Sequence, residues 1–168
     1  MRTKVPKIYV DSLGCSKNTV DSEHFIAQAK ANQFIITENP DDANVAVINT
    51  CGFIESAKEE SIEHILSATD LKKQGKLDKV MVMGCLSDRY STELQEEIPE
   101  VDQYYGNSYY NLHKVLQDLG GDYKKELLGE RSLTNPPHYA YLKISEGCDN
   151  PCSFCAIPIM RGGHVSRS

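Results

Sequence analysis

The sequence lacks any apolar run that approaches the length of a membrane span, and no apolar signal region follows the polar residues at 1–7. These absences argue against a membrane partner and predict a protein that stays in the cytoplasm. The composition, 40% hydrophobic and 25% charged, is typical of a soluble globular protein. Because cytoplasmic thiols stay reduced, the six cysteines are expected to be metal ligands rather than disulfides.

Positive charge is also scarce, since 18 Lys and Arg residues face 24 Asp and Glu residues and the net charge is -6. Binding to nucleic acid is usually led by Lys and Arg, so this balance argues against DNA and favours a basic protein partner. Gly14 belongs to no phosphate loop, because the Gly-x-x-x-x-Gly-Lys pattern is missing.

Apolar runs alternate with amphipathic segments along the first 120 residues. The runs at 44–49 and 79–83 are continuous, as is typical of strands buried on both faces of a parallel sheet. Strands are predicted at 7–11, 34–36, 44–49, 79–83 and 103–106. Helices are predicted from Asn18 or Thr19 onward and at 56–74, 87–98 and 111–119, with one helical turn at 40–43. The sequence therefore predicts an α/β fold, a doubly wound parallel sheet of about five strands with helices on both faces.

The chain divides into one complete domain and a shorter segment. Residues 1–120 are expected to form the α/β domain, and the polar stretch at 121–137 is expected to be a linker. Residues 138–144 alternate between apolar and polar side chains, which predicts a strand. In the 56–74 helix, the side chains expected to face the sheet are Ile62, Ile65, Leu66 and Thr69.

Three cysteines, Cys15, Cys51 and Cys85, each come just after a predicted strand. Open parallel sheets bind ligands at the carboxyl ends of their strands, so these thiols are expected to meet at one rim. Any one of them alone would more often be a buried small hydrophobe. Three at equivalent loop positions favour a shared metal or cluster with an open iron.

The other three cysteines, Cys148, Cys152 and Cys155, fall within eight residues. Three thiolates at this spacing can hold one face of an iron-sulfur cube and leave its fourth iron open to chemistry. A zinc site with His164 as fourth ligand, or three unrelated thiols, are the alternatives. Zinc is disfavoured because such sites usually pair two Cys-x-x-Cys or Cys/His halves, and only one half is present.

The pattern Cys-x-x-x-Cys-x-aromatic-Cys at 148–155 resembles the signature of radical S-adenosylmethionine enzymes. The stretches Ser-Leu-Gly-Cys-Ser-Lys-Asn at 12–18, Asn-Thr-Cys-Gly-Phe-Ile at 49–54 and Gly-Cys-Leu-Ser at 84–87 resemble the methylthiotransferases of that group. They are most similar to the branch that modifies an aspartate of ribosomal small-subunit protein twelve. The tail at 156–164 matches the continuation of the family.

This resemblance implies two [4Fe-4S] clusters and S-adenosylmethionine as cofactors. The cluster on Cys148, Cys152 and Cys155 would bind S-adenosylmethionine, whose cleavage gives a radical that removes hydrogen from the substrate carbon. The second cluster, on Cys15, Cys51 and Cys85, would carry the sulfur that joins the substrate. A reductant such as flavodoxin or ferredoxin would supply electrons.

The resemblance also implies that the chain is truncated. Family members continue into a barrel and a small substrate-binding domain, so residues 138–168 would be the first strand and cluster loop of an incomplete barrel. The 168-residue chain is expected to hold the strand-end cluster and to be inactive alone. Two other functions stay open, a tRNA adenosine methylthiotransferase and a non-catalytic cluster-binding or scaffold module.

Overall fold

The computed structural model describes residues 5–107, 109–127 and 129–167. Residues 1–4, 108, 128 and 168, which belong to the segments predicted above, therefore lie outside the described residues. No helix in the part of the chain that the structure describes is both long and apolar enough to cross a membrane.

Five parallel strands form the central sheet. They are β1 (Lys7–Ser12), β2 (Ile35–Thr37), β3 (Val45–Thr50), β4 (Lys79–Gly84) and β5 (Gln103–Tyr104). The order across the sheet is β2-β1-β3-β4-β5, and every pairing is parallel. All six residues of β3 are buried, as expected for the central strand of a sheet covered on both sides. The predicted α/β sheet of five strands is confirmed.

Helices cover both faces of this sheet. They are α1 (Ser16–Ala31), α2 (Glu55–Lys73), α3 (Cys85–Arg89), α4 (Ser91–Glu97) and α5 (Tyr109–Asp118), with a 3-10 turn at Pro40–Asp42. Residues of α1 and α5 pack with Val45 and Val47 of β3, while residues of α2, α3 and α4 pack with Ala46 and Ile48. Alternate side chains of β3 therefore serve two cores, one on each face of the sheet.

Three helical details differ from the sequence prediction. The first helix begins at Ser16 rather than at Asn18 or Thr19, because the Asn18 side chain bonds loop carbonyls instead of capping the helix. The predicted helix at 87–98 is two helices, α3 and α4, since Tyr90 leaves the helical conformation at φ -120° and ψ 34°. Of the predicted inner side of α2, Ile65 and Thr69 are buried, but Ile62 and Leu66 are exposed.

The segment at 121–137 is hydrogen-bonded along α1. The Gln28 amide bonds both the backbone N–H and the carbonyl of Lys124, each at 2.9 Å. Further along, the buried Glu23 accepts a hydrogen bond from the backbone of Thr134 and forms an ion pair with Arg131 at 3.3 Å. Side chains of α1 therefore fix the course of this polar stretch over the surface of the α/β domain.

The strand predicted at 138–144 is wrong. A strand of only two residues, β6 (Ser145–Glu146), follows that stretch and pairs antiparallel with β7 (Val165–Ser166). Leu142 and Ile144 are 77% and 67% exposed. Within the described residues, the stretch at 138–144 belongs to neither sheet. Alternation indicates a strand only where a partner strand is available to pair with it. A short helix, α6 (Ile157–Arg161), lies between β6 and β7.

Candidate functional site

The three strand-end cysteines line one cavity of about 870 Å³ at the carboxyl edge of the sheet. Cys51 directly follows β3 and Cys85 directly follows β4, while Cys15 lies three residues beyond β1. The edge of an open parallel sheet brings such distant residues together, since all strands end on the same side. Cys51 and Cys85 are buried, and Cys15 is exposed.

A buried asparagine fixes two of the loops that carry these thiols. Asn18 is fully buried, and its side-chain amide donates hydrogen bonds of 2.9 Å to the carbonyls of Leu13 and Thr50. Leu13 lies two residues before Cys15, and Thr50 directly precedes Cys51. One side chain thus sets the separation between the first and second cysteine loops.

Ser61, on α2, holds the backbone of Cys51 from the other side. Its hydroxyl accepts from the Cys51 N–H at 3.0 Å and donates to the Cys51 carbonyl at 3.1 Å. This pairing explains why α2 turns Ser61 toward the sheet and leaves Ile62 exposed. The polar groups of the Cys51 backbone are satisfied in the protein interior, as buried peptide groups must be.

Two glycines allow the loops to approach closely. Gly14 has φ +85°, and a Cβ there would lie 2.6 Å from the Cys51 Sγ. Gly84 has φ +105°, and a Cβ there would lie 2.4 Å from the carbonyl oxygen of Thr50. Only glycine fits positions with both this conformation and this contact.

Polar groups surround the thiol of Cys85. Burial raises the pKa of the Cys85 thiol, while the positive charge of Arg161 and the hydrogen bond from the Asn107 amide oppose that shift. The Asn107 amide nitrogen lies 3.7 Å from the Cys85 sulfur and also donates to the Met160 carbonyl. Cys85 is therefore held between the loop after β5 and α6.

Arg161, whose side chain is only 2% exposed, joins the segment after residue 138 to the sheet edge. Its guanidinium contacts both carboxylate oxygens of Glu146 at 3.0 and 3.1 Å, Asp21 at 3.2 Å and the Asn18 side-chain oxygen at 2.5 Å. Lys143 forms ion pairs with the same two carboxylates. A buried charge needs such partners, because desolvation of an unpaired ion is costly.

The charge on Glu146 predicts an acid-sensitive contact. Burial opposes ionisation of Glu146, but the hydrogen bond from Lys143 and the charge of Arg161 outweigh it and lower the pKa from 4.5 to about 2. Because the folded-state pKa lies below the unfolded value, this carboxylate stabilises the fold fully above pH 4.5, and the stabilisation disappears as the pH falls toward 2.

Glu146→Gln is therefore expected to lower the free energy of unfolding by about 2 kcal/mol at pH 7, because hydrogen bonds to a charged group are lost. Urea unfolding at pH 7 and pH 3 checks this, and the gap between variant and parent should narrow at pH 3. The exposed Glu126, changed to Gln, is the control and should alter neither curve. A gap of equal size at both pH values would contradict the assignment.

Cys148, Cys152 and Cys155 lie in the loop between β6 and α6. The loop folds back on the following residues, with the Cys148 N–H donating to the Gly162 carbonyl and the His164 N–H donating to the Asp149 carboxylate. Cys152 is exposed, and Cys148 and Cys155 are partly exposed. These contacts tie residues near the start of the loop to residues that follow α6.

As they stand, no three His, Cys, Asp or Glu side chains within residues 5–107, 109–127 and 129–167 are arranged to hold a metal ion. Even so, the thiol ligands and the size of the cavity make the strand-end site suitable for a cluster. All three thiols border the same cavity, and thiolate is the usual ligand of iron-sulfur clusters.

Several residues of this site were not predicted from the sequence. The sequence predicts that Asn18 caps a helix, and no pattern marks Ser61 or Asn107. Arg161 belongs to the tail at 156–164, but nothing there indicates a role at the sheet edge. The signal for Asn18 was its place in the same short stretch as Cys15. The burial of Arg161 carries no such sign, because it depends on contacts with residues more than a hundred positions away.

Comparisons with known proteins match this arrangement. Residues 7–106 match the model of the Uncharacterized protein family UPF0004. The chain is 56% identical over 167 residues to the ribosomal protein uS12 methylthiotransferase RimO of Chloroherpeton thalassium, covering 99% of this chain and 38% of that protein. It is 57% identical over 169 residues to the protein of the same name from Christiangramia forsetii, covering 99% of this chain and 37% of that protein. The chain thus spans well under half the length of these curated relatives.

Proposed function

Since the chain belongs to protein family UPF0004, we propose that it is the cluster-bearing part of a methylthiotransferase acting on a ribosomal small-subunit protein. Relatives that are 56% and 57% identical over nearly the whole chain carry the name of that activity. The resemblance inferred from the cysteine motifs leads to the same family. The single observation that carries the proposal is the convergence of Cys15, Cys51 and Cys85 on one cavity.

In this proposal each set of three cysteines holds one [4Fe-4S] cluster. Cys15, Cys51 and Cys85 would hold one at the sheet edge, and the loop from Cys148 to Cys155 would hold the cluster that binds S-adenosylmethionine. When bound, these groups supply the sulfur, the methyl group and the radical chemistry that attach a methylthio group to an unactivated carbon. The electrons would come from a flavodoxin or ferredoxin.

The residues of the chain itself position and shield the sheet-edge site. Asn18 and Ser61 hold the loop backbones from opposite sides, so the backbone positions of the first two cysteine loops are fixed. Phe53 and Ile54 border the same cavity and add apolar surface to its wall. Apolar wall residues and fixed ligand backbones favour binding of a cluster and influence its exposure to solvent.

The proposed substrate is the β-carbon of an aspartate in ribosomal small-subunit protein twelve, modified in the cytoplasm. The net charge of -6 supports a basic polypeptide rather than tRNA as the partner, because nucleic-acid contacts need clustered Lys and Arg. The names of the relatives support the same substrate.

Inactivation of the gene that encodes this chain tests the proposal. Mass spectrometry of the small-subunit protein from the mutant strain should show loss of the methylthio group from its modified aspartate, and tRNA nucleosides should be unchanged. Return of the modification on complementation is the control. The proposed substrate would be contradicted if the aspartate kept the same level of modification as in the parent strain, or if a tRNA methylthio nucleoside were lost.

A further inference from the structure

Arg161 places a permanent positive charge in the wall of the cysteine cavity. Its side chain is almost fully buried and borders the same cavity as Cys15, Cys51 and Cys85. The backbone of its helix, α6, is fixed beside Cys85 by the hydrogen bond from Asn107 to Met160. The guanidinium is therefore part of the cavity and not of the solvent-exposed surface.

Arg161 belongs to a network of charged side chains at the edge of the cavity. Asp21 and Glu146 are the two carboxylates of the group, and Lys143 pairs with both of them. Lys17, which also borders the cavity, lies 3.6 Å from Glu146. Glu60 also borders the cavity, so the ions at this edge carry both signs, and Arg161 is the cation whose helix is fixed beside Cys85.

The positive charge of Arg161 would stabilise a bound cluster. Three thiolates bring negative charge into this cavity, where Cys51 and Cys85 are buried. Buried negative charge is stable only beside cations or hydrogen-bond donors. Reduction adds one more negative charge to the cluster. Donors and cations beside the ligand sulfurs therefore favour the reduced form and raise the reduction potential.

We propose that Arg161 is a positioning residue whose buried positive charge, held in the cavity wall beside Cys85, sets the reduction potential of the sheet-edge cluster. This inference rests on the proposed function, because it requires a cluster on Cys15, Cys51 and Cys85. Through Glu146, two residues before Cys148, the same guanidinium also ties the second cysteine loop to the sheet edge.

The test uses the full chain with Cys148→Ala, Cys152→Ala and Cys155→Ala, so that any cluster signal comes from the sheet edge. Arg161→Gln, Arg161→Lys and a control, Arg131→Gln, are made in this parent and reconstituted with iron and sulfide without oxygen. Arg131 is a matched control because it is also a partly buried arginine in an ion pair, with Glu23, but does not border the cavity.

Arg161→Gln is expected to shift the reduction potential to a more negative value and to weaken iron binding by on the order of 10-fold, as loss of an outer ligand-shell partner does. Arg161→Lys keeps the charge but loses the planar fork, so its potential should lie between those of Gln and Arg. Arg131→Gln should leave the potential unchanged although it lowers the stability of the fold. If Arg161 had only a structural role, the Arg161 and Arg131 variants would have the same reduction potential as the parent.

Potentials of Arg161→Gln and Arg161→Lys equal to that of the parent would overturn the inference and leave the proposed function standing. If Arg161→Gln does not fold, the comparison of Arg161→Lys with the parent decides in the same way. A parent that takes up no cluster while the unmutated chain does would instead contradict the proposed sheet-edge cluster, and this inference with it.

Discussion

Replacement of Gly84 by alanine is expected to lower the free energy of unfolding by roughly 4 kcal/mol, combining backbone strain with overpacking. Gly84 has φ +105° and ψ -166°, a conformation open essentially to glycine alone. An added Cβ would lie 2.4 Å from the Thr50 oxygen and 2.5 Å from the Asn49 side-chain oxygen. Both neighbours belong to the buried strand β3 and have little room to move.

Gly120→Ala is the matched control for this prediction. Gly120 also has positive φ, at +82°, but an added Cβ would meet nothing within 4 Å. Its cost should be about 1 kcal/mol, the strain of a left-handed residue alone. Urea unfolding of the metal-free chain measures both values. Equal losses for the two variants would show that the approach of β4 to β3 at this point is not tight.

Loss of one thiol from each set should remove both clusters. After reconstitution without oxygen, Cys51→Ala and Cys152→Ala are each expected to lose about half of the bound iron, since each set of three ligands would hold one cluster. The double variant should lose the visible absorption entirely. Cys51 is small and buried, so its change to alanine should cost the metal-free fold only about 1 kcal/mol.

This pair of variants also separates the proposed enzyme from a binding domain with structural cysteines. If the absorption spectrum of the double variant equals that of the unmutated chain, the cysteines are not cluster ligands. If Cys51→Ala lowers iron content only because it unfolds the chain, circular dichroism of the metal-free protein reveals it. The expected result is a native circular dichroism spectrum with reduced iron.

The buried strands were the part of the fold most open to prediction. The continuous apolar runs that form β3 and β4 have side chains that pack into cores on both faces of the sheet, and such runs are typical of a covered parallel sheet. The position of Cys51 and Cys85 at the strand ends followed directly from these two runs. For the same reason the shared edge of the three cysteines could be inferred without coordinates.

Tertiary contacts decided what the sequence alone could not. Residues 138–144 alternate correctly for a strand, yet a strand forms only beside a partner, and the pairing found here begins at Ser145. Likewise, Asn18 stands where a helix cap is normal, but its amide is used by the carbonyls of Leu13 and Thr50. Local propensity carries no information on such distant acceptors.

The buried ion group around Arg161 shows the same limit. No periodic pattern distinguishes an arginine that inserts beside Cys85 from one that faces water, because the difference lies in Asp21 and Asn18 on another helix. The motif around Cys148 indicated a ligand set. It did not indicate that the residues after it would reach back to the sheet edge.

The iron content of the chain with Cys148→Ala, Cys152→Ala and Cys155→Ala tests most directly whether the strand-end cysteines form a ligand set of their own. After reconstitution this variant should hold about half of the iron of the unmutated chain, as one [4Fe-4S] cluster. A further Cys51→Ala change should remove that iron. Two results would contradict a cluster on Cys15, Cys51 and Cys85. One is a triple variant that binds no iron although the unmutated chain does, and the other is iron that stays bound after Cys51 is also replaced.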